Sequence, residues 1–312
     1  MRSPVTFLMP VRNGRDFLIE SLENIDAMAD SSDEILVIND HSSDGTDEIL
    51  HSMKSIIKNL VVLNNPSSGL VKALNFGLEE ASNNLIARVD VDDTYQIDRI
   101  NKQIDSFTSS TVAVFSDYTF VSPDKSNLGT IYSAVHPLAV SASLVSSQRT
   151  AHPSVVFSRE AVIQVGGYRE SDFPAEDLSL WLRLSRVGEL RSVPLPLLNY
   201  RINPQGISAT RRSEMLMKKT LLLREISINK HDLDQMENSI PDILASYDST
   251  SNDSERRILF ARDLLTISKL GKKNIHLQKV SLGILRKELI SGRLLPKTSK
   301  LLIEKLRRRQ LR

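Results

Sequence analysis

The stretch 83–99, NNLIARVDVDDTYQIDR, decides how the rest of the chain is read. Leu85, Ile86 and Ala87, with Val89 and Val91, make a short apolar run suited to a buried strand, and the run ends in Asp90, Asp92 and Asp93. If the strand continues through the acids, its alternation puts Asp90 and Asp92 on one side and Asp93 on the other. Carboxylates gathered at a strand end repel one another. A divalent cation relieves that repulsion, because Mg²⁺ or Mn²⁺ takes one or two carboxylates and fills its shell with phosphate oxygens and water. A solvated acidic turn running into a helix, capped by Asp93 or Thr94, accounts for the same residues. Spacing alone leaves both readings open.

Upstream, residues 5–9 (VTFLM) read as a strand closed by Pro10, which cannot donate to a central ladder. Asn13-Gly14 makes a turn, and Phe17, Leu18, Leu22 and Ile25 follow at helical spacing. Residues 34–40 (EILVIND) form a second buried strand before a polar loop, and Thr46 is placed to cap a helix bearing Ile49, Leu50, Met53, Ile56 and Ile57. Residues 61–63 are a third strand, and 70–81 a helix carrying Leu74, Gly77 and Leu78. This β-α-β-α-β-α-β order predicts a mainly parallel sheet with helices on both faces. Ligands in such sheets sit beyond the carboxyl ends of the strands. The turn 10–14, the loop 40–45 and the acids 90–93 converge there, which favours a nucleotide–metal site over an acidic turn.

Downstream, residues 112–118 and 155–157 read as strands, and 122–147, rich in Ser and small residues, as a variable loop. Gly166-Gly167-Tyr168 is a turn. Glu176 and Asp177 precede an amphipathic segment whose Leu178, Trp181, Leu182 and Leu184 face a core. Two acids there either complement a helix dipole, worth about 0.3–1 kcal/mol, or place a base in a cleft. Residues 194–201 form a last strand leading to Ser208. From Arg211 the strand signals vanish and helices are expected over 215–228, 253–270, 275–291 and 300–311, so the chain divides into an α/β domain, 1–210, and a helical C-terminal region, 211–312.

Composition narrows the function classes. The chain has no cysteine, which excludes disulfides and thiolate metal sites and fits a reducing cytoplasm. No run of about eighteen apolar residues is present, so neither a membrane span nor a secretion signal is expected. The near-balanced 40 basic and 38 acidic side chains hide an asymmetry: 271–312 holds thirteen Lys/Arg against two Glu, leaving 1–270 at a net −9. Leu301, Leu302, Ile303 and Leu306 among Lys300, Lys305 and Arg307-Arg308-Arg309 suit a basic amphipathic helix on an anionic membrane surface. No nucleic-acid recognition motif or aromatic interleaving accompanies that charge.

Taken in order, the motifs at 9–14 (MPVRNG), 38–46 (INDHSSDGT), 69–77 and 87–93 (ARVDVDD), with Asp98-Arg99, His152-Pro153-Ser154, Gly166-Gly167-Tyr168, Glu176-Asp177-Leu178 and Tyr200-Arg201, resemble the family-2 inverting glycosyltransferases of the GT-A fold. The likeness spans residues 4 to 210 and points to bacterial members that build surface polysaccharides. It implies a Rossmann-like GT-A domain and a nucleotide-sugar donor, UDP-linked in most relatives. The acceptor it implies is a saccharide, lipid-linked on the cytoplasmic face of the inner membrane. Pro10, Val11, Asn13 and Asp40 then fall at the base and ribose, Asp90 and Asp92 at the D-x-D that holds Mg²⁺ or Mn²⁺ on the diphosphate, and Asp177 at the general base with Glu176 beside it. Arg201 and Ser208 match residues that grip the diphosphate in some relatives. Their alternative is a strand-end salt bridge and a loop hydroxyl.

The sequence departs from the family pattern at Asn39, where many relatives carry Asp, and at Leu74, where many carry Arg, which leaves a donor contact on that helix to Lys72. His152 is a local hydrogen-bonding residue or a further metal or phosphate ligand. Two other functions fit parts of the pattern. Asp90-Val91-Asp92-Asp93-Thr94 also satisfies the D-x-D-x-T of haloacid-dehalogenase phosphohydrolases, and a scaffold could bind sugar nucleotide without turnover.

Overall fold

The computed structural model describes residues 2–224, 230–248, 250, 252–270 and 275–290. In chain order the first part runs β1 (Val5–Val11), α1 (Arg15–Met28), β2 (Glu34–Asn39), α2 (Thr46–Met53), β3 (Leu60–Asn64), α3 (Leu70–Glu80), β4 (Leu85–Arg88) and β5 (Thr94–Tyr95). It continues with α4 (Arg99–Ile104), β6 (Thr111–Val121), β7 (Asn127–Ile131), α5 (Pro137–Ser146), β8 (Val156–Ser158), α6 (Arg159–Gln164), α7 (Glu176–Leu184), β9 (Glu189–Arg201), α8 (Ile207–Thr210) and α9 (Arg212–Arg224). The remainder is helical: α10 (Lys230–Asn238), α11 (Ile240–Ala245), α12 (Asp253–Leu270) and α13 (Ile275–Ile290).

One sheet has the order β3-β2-β1-β4-β8-β6-β9-β5, with β7 added to β6. The first four strands are parallel, as the β-α alternation requires, and β6 and β9 are parallel to each other, while β8 runs against both of its neighbours. Every residue of β1 is buried. Pro10 does not end that strand, because pairing with β4 stops at Leu8–Arg88 while pairing with β2 runs on to Val11–Asn39. Its missing N–H therefore breaks no ladder bond toward β4. Helix α3 lies close on the sheet: a Cβ at Gly77 would stand 2.3 Å from a methyl of Leu8.

Further local expectations are corrected. The strand of the decisive stretch ends at Arg88, so the acids lie in a loop and strand alternation does not order them. Thr94 begins β5, which pairs with β9, and the helix starts at Arg99 after Asp98, so neither Asp93 nor Thr94 caps it. The region 122–147 is not one loop but contains β7 and α5. Helix α5 escapes a periodicity reading because Ala139, Val140, Ala142, Leu144 and Val145 are buried around much of its circumference, which erases the polar face. Similarly, β9 begins before residue 194 and keeps its pairing through Pro194 and Pro196 by register shifts against β6 near Ser116–Tyr118.

The chain forms two compact units, residues 1–144 with 148–227 and residues 145–147 with 228–312. Helices α8 and α9 thus group with the sheet. In the second unit Ile243, Tyr247, Phe260, Leu264 and Leu277 form a core that also buries Arg256, Asp263 and Glu288. Among the described residues no helix is long and apolar enough to cross a membrane. The basic amphipathic segment 300–311 lies outside the described residues.

Candidate active site

Three loops at the carboxyl ends of β1, β2 and β3 are knitted into a cradle. Asn13 is left-handed (φ 54°), and its Oδ1 accepts from the Ser43 amide at 2.9 Å while its own amide donates to Ser42 Oγ at 3.0 Å. Gly14 N–H donates to Thr46 Oγ1 at 2.9 Å. Val11 accepts the Asp40 amide at 2.8 Å, which fixes where β2 delivers its carboxylate. Asp40 is buried; its Oδ1 accepts from Asn65 Nδ2 at 2.7 Å, and both oxygens accept from the Gly69 amide, with Arg12 4.0 Å from Oδ2. Much of its accepting capacity thus holds the loop that starts α3. Lys72 stands at the rim in an exposed pair with Glu170 at 3.6 Å. Asn39 donates to Asp47 and accepts from the Ser42 amide, shaping the same loop.

The acidic loop hangs on buried partners. Arg88, 2 % exposed, pairs with Asp90 Oδ1 at 2.6 Å, and the Asp90 amide donates to Tyr95 Oη at 2.9 Å. Asp92 Oδ2 accepts from Asn203 Nδ2 at 3.0 Å. Asp93 has a separate partner: its Oδ1 accepts from the Arg201 amide at 2.8 Å and its Oδ2 is buried without a partner. Burial, then the charges of Asp90 and Asp92, pushes the Asp93 carboxyl well above the usual range. Burial and the charge of Asp90 likewise raise Asp92.

Arg201 is committed to this loop, donating through Nε to the Asp92 carbonyl at 2.8 Å and through Nη2 to Glu20 at 3.0 Å. That is the salt-bridge geometry of a strand end. Ser208 is exposed, 3.2 Å from the Tyr200 hydroxyl.

The second acidic pair opens α7. Glu176 is 6 % exposed and its Oε2 is buried without a partner. Burial, with the neighbouring Asp177 charge, pushes its carboxyl up to about 7. Asp177 Oδ1 accepts from the Leu178 amide at 2.6 Å, and Oδ2 has no hydrogen-bond partner among the described residues. Burial raises Asp177 too, and the Lys219 ammonium partly offsets that. The turn before α7 is anchored on α3: Asn75 donates to the Tyr168 carbonyl at 2.8 Å and accepts its amide at 2.9 Å. Gly167 (φ 63°) makes this approach possible, because a Cβ there would stand 2.8 Å from Asn75 Oδ1. His152 is committed to Tyr168, its Nε2 2.8 Å from the hydroxyl, and burial, with Arg88, holds its pKa well below the ordinary value. Burial thus favours its neutral ring, and its partner in this structure is the Tyr168 hydroxyl.

Arg88 links the two acidic groups. Burial raises the carboxyls of Asp92, Asp93, Glu176 and Asp177, and the Arg88 charge partly offsets that at all four, so the acids after β4 and those opening α7 both feel this one guanidinium. Among the described residues no three His, Asp or Glu side chains converge to hold a metal. One oxygen each of Asp90 and Asp92 has no hydrogen-bond partner among those residues. Two such oxygens suit Mg²⁺ or Mn²⁺, which completes its shell with phosphate and water.

A model of the family described as Glycosyl transferase family 2 matches residues 6–162, half of the chain. The chain belongs to this family. Its relatives include the amylovoran biosynthesis glycosyltransferase AmsE of Erwinia amylovora, 26 % identical over 66 % of this chain and 79 % of that protein. Another is the Escherichia coli UDP-Glc:alpha-D-GlcNAc-diphosphoundecaprenol beta-1,3-glucosyltransferase WfaP, 25 % identical over 73 % of this chain and 88 % of that one. Among solved structures, the mannosyltransferase PcManGT from Pyrobaculum calidifontis, in complex with GDP-Man and Mn²⁺, aligns with a TM-score of 0.59 at 16 % identity over 96 % of this chain and 83 % of that one. S. aureus TarS 1-349 in complex with UDP aligns at 0.57, with 14 % identity over 92 % and 88 %. These likenesses show the GT-A fold. As a family-2 chain the protein is not read as a phosphohydrolase. Arg88, Glu20, Asn75, Asn203 and Lys219 belong to this family-2 site without a motif in the sequence that assigns them a role. Only Arg88 carried a signal, as a charge inside an apolar strand beside three acids.

Proposed function

We propose that the protein is an inverting glycosyltransferase. It moves a hexosyl or N-acetylhexosaminyl group from a UDP-sugar to a hydroxyl of a lipid-linked saccharide in surface-polysaccharide synthesis and gives a β-linkage. The carrying observation is the shared environment of the acids after β4 and the acids opening α7, which supplies a diphosphate-side and an acceptor-side group in one site. The relative named for UDP-Glc transfer to GlcNAc-diphosphoundecaprenol supports the substrate classes.

Asp177 is the base in this reading. Its carboxylate takes the proton of the acceptor hydroxyl as that oxygen attacks the anomeric carbon, and the bond to the diphosphate breaks on the opposite face with its electron pair leaving on phosphate oxygen. Glu176, its carboxyl raised by burial to about 7, holds a proton over part of the neutral range, and that protonated form spares Asp177 a second adjacent negative charge. Lys219 favours the ionised base. Pro10, Val11, Asn13 and Asp40 border the nucleoside, with Lys72 and Ser208 at the rim. Arg201 acts on the diphosphate side by holding the Asp92 backbone. Asp92, with Asp90, would hold Mg²⁺ or Mn²⁺, which supplies positive charge for the leaving diphosphate. The basic segment 300–311 adds peripheral contact with the cytoplasmic membrane face, a reading supported by its sequence.

A thermal-shift screen of nucleoside diphosphates and their sugars with Mn²⁺, Mg²⁺ or EDTA tests the donor class. Ligand at a hundredfold excess over Kd adds about 2.7 kcal/mol of apparent stability. A metal-dependent shift confined to uridine compounds is expected. Binding without transfer to any lipid-linked saccharide would favour a scaffold, and no shift at all would remove the donor site.

A further inference from the structure

Strand β9 ends on a residue that several distant groups hold in place. The Arg201 amide donates to Asp93, its Nε to the Asp92 carbonyl and its Nη2 to Glu20, and Glu20 also pairs with Lys125 at 2.9 Å. The Arg201 guanidinium lies over the Phe17 ring, 5.3 Å from its centroid, and the Ile202 amide donates to the Val121 carbonyl at 2.9 Å. Asn203 follows directly, half-buried, and Pro204 biases its backbone away from the helical region. Its carbonyl accepts the Gly206 amide at 3.1 Å, and its side-chain Oδ1 accepts the Gln205 amide at 2.9 Å. An N–H can meet only the oxygen of the side-chain amide, so the Gln205 contact fixes which way the amide points and turns Nδ2 toward Asp92.

The two carboxylates of the D-x-D are thereby held alike. Arg88 Nη2 donates to Asp90 Oδ1 at 2.6 Å, and Asn203 Nδ2 donates to Asp92 Oδ2 at 3.0 Å. Guanidinium and amide nitrogens are donors only, so each can hold a metal ligand without being one. The torsion that turns an Asp carboxylate is soft, and a carboxylate with no partner would have to be ordered when a cation arrives. A donor on one oxygen orders it beforehand and leaves the other oxygen to the ion. We propose that Asn203 is a positioning residue for the cation on the diphosphate: it holds Oδ2 of Asp92 and so presents Oδ1 to Mg²⁺ or Mn²⁺. Arg88 does the same for Asp90 from inside the sheet, whereas Asn203 acts from the turn that leads into α8. The inference rests on the reading of Asp90 and Asp92 as metal ligands given above.

The test is Mn²⁺ titration of the full chain with equimolar UDP, the free ion being read by electron paramagnetic resonance. Asn203→Ala removes both side-chain contacts. Asn203→Ser keeps an oxygen that can accept the Gln205 amide but is too short to reach Asp92, so it separates the turn from the metal ligand. Both variants should bind Mn²⁺ about 10- to 100-fold more weakly, the usual effect of losing a group that orients a metal ligand. Metal-free melting temperatures and UDP-induced thermal shifts in EDTA should match those of the parent chain. Parent-like Mn²⁺ binding by Asn203→Ala would overturn the proposal. Weakened binding by Asn203→Ala with parent-like binding by Asn203→Ser would assign the residue to the turn and overturn it too, as would an equal loss of UDP binding in EDTA. Asp92→Asn keeps the two readings apart. If it loses Mn²⁺ while the Asn203 variants retain it, the positioning role alone falls; if it and the parent chain bind Mn²⁺ equally, or neither binds, the metal reading falls with it.

Discussion

Glu176→Gln probes the buried acid beside the base. A Glu with an ordinary pKa of 4.5 in the unfolded chain and about 7 in the native protein binds its proton more tightly when folded. Its contribution is therefore full below pH 4.5 and is lost as pH rises through 7, because the native state must then hold a buried carboxylate whose Oε2 has no partner. At about 1.36 kcal/mol per pH unit the whole span is about 3 kcal/mol, of which about 2 kcal/mol falls between pH 5.5 and 8. Gln cannot titrate. Its amide carries its own pH-independent cost for an unpaired buried donor, so the informative quantity is the change in the stability difference between the two pH values. Urea unfolding of both proteins at pH 5.5 and 8 should show the variant gaining about 2 kcal/mol relative to the parent on going to pH 8. A difference that stays constant with pH would refute the assignment of a raised pKa to Glu176 and, with it, the proton-holding role beside Asp177.

Asp177→Asn keeps an oxygen that can accept the Leu178 amide, so donor-induced thermal shifts should survive while transfer falls about 10²- to 10⁴-fold, the usual contribution of a general base; undiminished transfer would remove Asp177 from that role. Asp92→Asn should abolish the difference between Mn²⁺ and EDTA in nucleotide-induced shifts while the Asn203 contact persists, and a retained metal effect would move the ion elsewhere. Asn75→Ala breaks two hydrogen bonds to Tyr168 and should cost about 1–3 kcal/mol of stability in denaturant unfolding. Transfer should drop more than donor binding in that variant, because the turn it releases leads into α7.

The alternation of apolar runs with helical spacing from residue 5 to 88 specifies parallel strands and crossover helices, since each period of burial admits one secondary structure. Polar loops at the carboxyl ends of such strands have nowhere to go but one edge of the sheet, which is why Asn13, Asp40 and the acids 90–93 were legible as a cluster. Glu176 and Asp177 were legible through family likeness and not through pattern, because a helix opening with two acids is common. What the chain order did not contain is how far each strand runs and which side chains each charge meets. The strand ends at Arg88, before the acids, because its neighbour in the sheet stops pairing there. Arg201 holds the acidic loop, Asp40 ties down Gly69, and Arg88 joins two acidic groups from elements 86 residues apart, Asp90 and Glu176. These are long-range pairings. Local spacing fixes periodicity and loop position, whereas the partner of a buried charge is fixed by whichever distant groups the fold packs against it, and only the tertiary structure decides that.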